Sequence, residues 1–200
     1  MSRVVGGVAA PVPAPRNRGE SNGNPRGIGL LALLREDLRT HGGRVIEQGF
    51  WAVAVHRFGN WRMGVRPRLL RAPLTVLYRA LFVAVEFATG ITLPYTVRLG
   101  RRVRFWHHSG IIINATAIGD DSQVRQNTTM GILTIERPDD IPTIGARVDI
   151  GAGACILGAA TVGDDCKIGA NCVVMADVPA HSIAMGIPAR VVRRPAAVDS

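Results

Sequence analysis

At 200 residues the chain has room for one ordinary domain, or for a small helical unit joined to a second one, and 47% hydrophobic residues supply a core. Twenty-three glycines against 5% aromatics suit tight repeated turns better than a large mixed core. The net charge of +9 is almost wholly arginine, with Lys167 the single lysine, and fits an anionic ligand, nucleic acid, a membrane surface or a solvated basic face; three cysteines (Cys155, Cys166, Cys172) without a CxxC pair argue against a disulfide framework or a zinc site.

Residues 1–26 are rich in Pro, Gly, Asn and Arg, lack an apolar period and are expected to be disordered. Pro11, Pro13, Pro15 and Arg16 interrupt any secretory signal, so a reducing, cytoplasmic setting is expected. The basic stretch Arg16 to Arg26 has no interleaved aromatics, so no nucleic-acid partner is expected. From Ile28 onward Leu30, Leu31, Leu33, Leu34 and Leu38 recur at helical spacing, and Gly42-Gly43 ends that helix. A second helix is predicted from Val45 to about Trp61 and a third from about Leu69 to Ala88. Arg71, Arg79 and Glu86 interrupt the third, which argues against a transmembrane segment. It reads as an amphipathic helix packed on a neighbour, with a membrane-surface role as the alternative.

After Gly90 the period becomes six. Ile144, Ile150, Ile156, Val162, Ile168 and Val174 stand at six-residue intervals, with glycine following at 145, 151, 163 and 169. Val148, Ala154, Ala160, Cys166, Cys172 and Val178 come four residues after each aliphatic. Neither a helix of about 3.6 residues per turn nor a strand of period two keeps such spacing. Three short edges closing one triangular coil do: the aliphatic and small residues point inward, glycine takes the corner, and stacked repeats bury one another. Leu93, Leu99 and Phe105, then Ile112, Ile118, Val124 and Met130, extend the coil upstream with a one-residue slip near Ile111. The 14-residue step from Met130 to Ile144 implies a loop around 131–142. The expected fold class is α+β: a disordered tail over 1–26, a helical domain over 27–90, a parallel β-helix of hexapeptide repeats over 91–194, left-handed by the resemblance that its motifs carry, and a short tail over 195–200.

These repeats resemble the hexapeptide pattern of left-handed β-helix acyltransferases. The chain is most similar to the serine acetyltransferases: Arg35-Glu36-Asp37-Leu38-Arg39 resembles their opening helix, and Gly49 to Trp61 their GFHAL-x-x-(Y/H)-R stretch. Ile150 to Gly158 resembles their IGAGAKILG and Gly186 to Val192 their closing GVPAR segment. Leu93 to Val103 is similar to a branch associated with exopolysaccharide synthesis. The resemblance implies acetyl-CoA as co-substrate, no metal, and a homotrimer or dimer of trimers with acetyl-CoA between adjacent coils. It implies His107 as the catalytic base, aligned through Gly110-Ile111, with His108, Asn114 and Thr92 as possible assistants. For acetyl-CoA it points to Gly131, Gly151, Ala152, Ala170, Gly186 and Arg190. The chain departs from the family where it has an acidic residue before the His, here Trp106, and an Asp that orients it, here Thr92. The family's loop Arg-His pair falls on Asp140-Ile141. Serine is the acceptor that the family implies; a sugar hydroxyl of a polysaccharide precursor, or a catalytically weak scaffolding homologue, are the alternatives.

Overall fold

The computed structural model describes residues 19–193; residues 1–18 of the expected tail over 1–26, Arg194, and the expected tail over 195–200 lie outside the described residues. Three helices, α1 (Leu30–Thr40), α2 (Gln48–Trp61) and α3 (Arg68–Thr89), precede the strands. Gly42 and Gly43 both take left-handed φ values and return Gly43 N–H to Leu38 O at 2.8 Å, so the glycine pair stops α1 as its sequence predicts. Gly90 (φ 66°) ends α3 in the same way and turns the chain straight into the first strand. Residues 19–26, expected to be disordered, are seated on α2: Asn60 Oδ1 accepts from Gly23 N–H at 2.9 Å, and Asn24 Nδ2 donates to Arg57 O at 2.9 Å.

The strands form successive turns of a three-sided coil. The first turn is β1 (Ile91–Thr92), β2 (Arg98–Leu99) and β3 (Arg104–Phe105); the second is β4 (Ile111–Ile113), β5 (Ala117–Ile118) and β6 (Gln123–Val124). The third is β7 (Thr129–Gly131), β8 (Thr143–Ile144) and β9 (Asp149–Ile150), and the fourth β10 (Cys155–Leu157), β11 (Thr161–Val162) and β12 (Lys167–Ile168). The chain closes through β13 (Val173–Val174), β14 (Ser182–Met185) and β15 (Arg190–Arg193). Every third strand pairs in parallel, giving sheets β1-β4-β7-β10-β13, β2-β5-β8-β11 and β3-β6-β9-β12-β14; β15 then folds back antiparallel on β14. Ile144 pairs with Val162 and Ile150 with Ile168, three repeats on, while Ile118 to Ile144 carries eight extra residues, which are the loop after β7. This is the three-sided parallel coil that the six-residue period predicts, the left-handed β-helix that the resemblance implies.

The inward set is buried as expected, from Leu93, Leu99 and Phe105 to Val174, with Cys166 and Cys172 among the small core residues; all three cysteines are free thiols. Two expectations need correction. Ile112 is not inward: it is 49% exposed, while Ile111 and Ile113 are buried. The phase slip falls inside a three-residue strand, where alternation sends the middle side chain outward. Nor are the repeat glycines the left-handed corners. That conformation belongs three residues after the aliphatic, to Arg102, Asp121, Arg147, Asp165 and Asn171. Glycine stands directly after the aliphatic because the next turn lies against it: a Cβ on Gly145 would sit 2.4 Å from Asp164 Oδ1, and one on Gly151 2.6 Å from Ala170 N.

The helices join the coil through a buried polar network. Arg57, fully buried, donates to Asp37 Oδ2 at 2.9 Å and to the carbonyls of Leu99 (2.8 Å) and Gly100 (2.6 Å). Burial pushes the Asp37 carboxyl up against the pull of Arg57. His56 Nε2 donates to Val97 O at 2.9 Å; burial lowers the pKa of this imidazole to about 3, so it is neutral. His41 Nε2 accepts from Phe105 N–H at 3.3 Å while its Nδ1 donates to Asp37 O at 2.8 Å, which fixes its tautomer.

Candidate active site

His107 and His108 are exposed on the corner where β3 turns into β4. His107 takes a left-handed φ of 57°, as do many of the coil's corners. That corner is carried by α3: Ser109 N–H donates to Thr89 O at 2.9 Å and Ile111 N–H to Gly90 O at 3.1 Å. A column of corner backbone rises above it. Asn127 N–H donates to Ser109 O, Gly153 N–H to Gln126 O and Asn171 N–H to Ala152 O, each at 2.8–3.1 Å. Gly151, Ala152 and Ala170 are small residues of this column, standing between Gln126, Asn127 and Asn171.

Thr92 lies on the same sheet, paired with Ile112, but its hydroxyl is not free: it donates to Glu86 Oε1 at 2.6 Å. Glu86 is thus the carboxylate of this region, absent from the expected site because the sequence shows it only as a charge interrupting a helix. The legible signal was the glycine four residues later, which folds the last turn of α3 back onto β1. Beside His107, Trp106 donates from Nε1 to Gln123 Oε1 at 2.7 Å and is covered by the Arg104 guanidinium 3.4 Å from its ring centroid. The Trp106 and His107 ring centroids are 6.4 Å apart. A cation on an aromatic face therefore stands where the family has an acidic side chain. Asn114 does not join this group within one chain: it follows β4, at the opposite edge of the sheet from His107.

At that opposite edge the loop after β7 overhangs a groove of about 800 Å³. Leu133, Glu136, Arg137 and Asp140 form one wall, and Gly158 to Ala160 with Met175 to Asp177 form the other. Gly131 is at its inner end, where its carbonyl accepts from Gly158 N–H at 2.9 Å. A smaller depression of about 140 Å³ shares Met175 to Asp177 and is bordered by Pro188, Ala189 and Val191. Gly186 and Arg190 stand instead at the end of the His107 column: Gly186 follows β14 in the register that stacks it on Ala170, its carbonyl accepts from Val173 N–H at 3.1 Å, and Arg190 pairs with Met185. Of the six residues expected around acetyl-CoA, Gly151, Ala152, Ala170, Gly186 and Arg190 therefore stand on the His107 edge, and Gly131 alone on the loop edge. Of the pair Asp140-Ile141, Ile141 is buried in the core and Asp140 faces Arg137 at 3.8 Å. Arg137, a loop cation lining the groove, was not anticipated from the sequence because no repeat register places it.

No family model matches the chain. It is 41% identical over 117 residues to the serine acetyltransferase of Helicobacter pylori strain 26695, covering 58% of this chain and 68% of that protein. It is 35% identical over 145 residues to the serine acetyltransferase of Mycobacterium tuberculosis, covering 72% and 60%. Among solved structures, soybean serine acetyltransferase complexed with serine superposes with a TM-score of 0.68 at 30% identity, over 82% of this chain and 69% of that one. A serine acetyltransferase in complex with CoA superposes with a TM-score of 0.67 at 28% identity, over the same shares.

Proposed function

The chain belongs to the serine acetyltransferase family, and on that premise we propose that it transfers the acetyl group of acetyl-CoA to a hydroxyl, with L-serine as the acceptor. The observation that carries the reading is His107, an exposed imidazole on a corner from which a column of main chain rises through Asn127 to Gly151, Ala152 and Ala170. His107 takes the hydroxyl proton as the oxygen attacks the thioester carbonyl. The C–S bond then breaks, and the imidazolium returns the proton to the CoA thiolate. Glu86, through Thr92, is the carboxylate assigned to this pocket, in place of the family's acidic partners of the histidine. Small residues along the column leave room for the pantetheine arm to bond the main chain, and Arg137 and Arg190 are the cations for the nucleotide phosphates.

The position of Gly131 and the loop groove at the edge opposite the other acetyl-CoA residues supports a site completed by a second copy, the His107 column of one subunit facing the loop groove of the next, as in a homotrimer or a dimer of trimers. With three free thiols the reading places the enzyme in a reducing, cytoplasmic compartment. Trp106 under Arg104, together with Ile141 where the family has a loop histidine, favours a second reading in which a sugar hydroxyl of an exopolysaccharide precursor replaces serine. Thiol release from acetyl-CoA, measured with L-serine and with nucleotide sugars, decides between them. Turnover with serine, lowered by about 10²- to 10⁴-fold in His107→Ala, is expected. Release with sugars alone selects the second reading. Release with neither acceptor leaves a scaffolding homologue.

A further inference from the structure

Helix α3 is the feature that neither the fold nor the acetyl transfer uses up. Among the described residues it is the one helix long and apolar enough to cross a membrane. It does not stand free to do so, because one side is packed. Tyr78 and Thr89 are buried, the Tyr78 hydroxyl accepts from Tyr95 N–H at 3.3 Å, and Val85 lies against the core. The other side is bare: Leu69 is 89% exposed, Val76 69%, Leu77 48%, Val83 57% and Phe87 94%. At about 100° per residue the exposed positions sweep roughly half the cylinder, and the alanines and Pro73 between them leave no polar side chain within it. Arg68 and Arg79 lie about 20° apart along one margin of this arc, and Arg66 precedes the helix. All three are exposed and form no ion pair among the described residues. The one carboxylate of α3, Glu86, stands on the same margin as Arg68 and Arg79, nearly two turns beyond Arg79, where it is half-buried and held by Thr92.

We propose that this face docks on an anionic phospholipid surface, α3 lying in the plane of the interface with its apolar arc in the acyl boundary and Arg66, Arg68 and Arg79 among the headgroups. Two observations favour a lipid surface over a second copy of the chain. The seam between two helices is a stripe of about 100°, narrower than the arc left open here. Self-docking also brings the same unpaired arginines together, and Glu86, the one acidic side chain on their margin, is half-buried and already held by Thr92, whereas an anionic leaflet supplies the missing charge. Because the last turn of α3 is bonded to Ser109 and Ile111, docking holds the His107 corner close to the lipid.

Co-sedimentation of the full chain with vesicles of phosphatidylcholine, alone or mixed with phosphatidylglycerol, tests this, with sedimentation equilibrium run in parallel. The wild type is expected to bind the mixed vesicles at least about tenfold more tightly, with the preference lost at high salt. Val76→Glu/Phe87→Glu is expected to abolish vesicle binding, and Arg68→Glu/Arg79→Glu to remove the preference for anionic lipid, both keeping wild-type circular dichroism and assembly size. The proposal is overturned if the wild type binds neither vesicle, if Val76→Glu/Phe87→Glu binds as well as wild type, or if that variant splits a larger assembly into smaller ones, which assigns the face to a second copy.

Discussion

The coil and the helical layer are held by opposite means. In the coil each repeat meets the next through the same few contacts: an aliphatic on an aliphatic, a small residue beside it, backbone bonds between turns. The register is local, so a short stretch of sequence specifies it. The helices reach the coil through a few buried polar groups that span long sequence distances, Arg57 to Asp37 on one side and to Leu99 and Gly100 on the other. Among the described residues the coil buries no charged side chain, and the buried hydroxyls of Ser122, Thr128 and Ser182 each bond a coil carbonyl, while the helical layer depends on a buried charge pair and on the carbonyls that it meets.

The largest effect breaks the coil. Ile156→Asp places an unpaired carboxylate among fully buried neighbours and is expected to unfold the chain, a loss of more than about 4 kcal/mol. Thermal melting and far-ultraviolet circular dichroism read it, and a wild-type melting curve would contradict the inward assignment.

Next comes the junction. Arg57→Met leaves Asp37 buried without its partner and two coil carbonyls bare, at a cost of roughly 3–5 kcal/mol. Denaturant titration should show the helical layer failing before the coil. If Asp37→Leu added to Arg57→Met costs nothing further, or restores part of the loss, the pair serves placement rather than net stability.

The effect that is smallest at neutral pH is graded by acid. His56 titrates near 6.5 when unfolded and near 3 when folded, so between those values the unfolded chain binds more protons. Stability is full above about 6.5 and falls as the pH drops towards 3, by up to about 1.4 kcal/mol per pH unit for this group. His41, lowered chiefly by burial, adds to the same trend. His56→Gln should flatten the slope measured by denaturation across this range. An unchanged slope removes His56 as its source.

The sequence by itself settled the coil, because stacking repeats every six residues is a local rule written on adjacent side chains. It placed the three helices, the loop before Ile144 and the residues inside the prism. It misjudged Ile112 because a one-residue slip and strand alternation look alike in a string of isoleucines. It explained the repeat glycines by the wrong cause because the close approach of the next turn, not their own φ, is what excludes a side chain. Only the tertiary structure could show that Thr92 hands its hydroxyl to Glu86, that Arg104 covers Trp106, that Arg137 lines a groove, and that the expected acetyl-CoA residues stand on two separate edges. Each of these is a relation between segments that the local pattern leaves independent. Distance along the chain carries no information about it until the coil has closed and the end of α3 has been turned back upon the first strand.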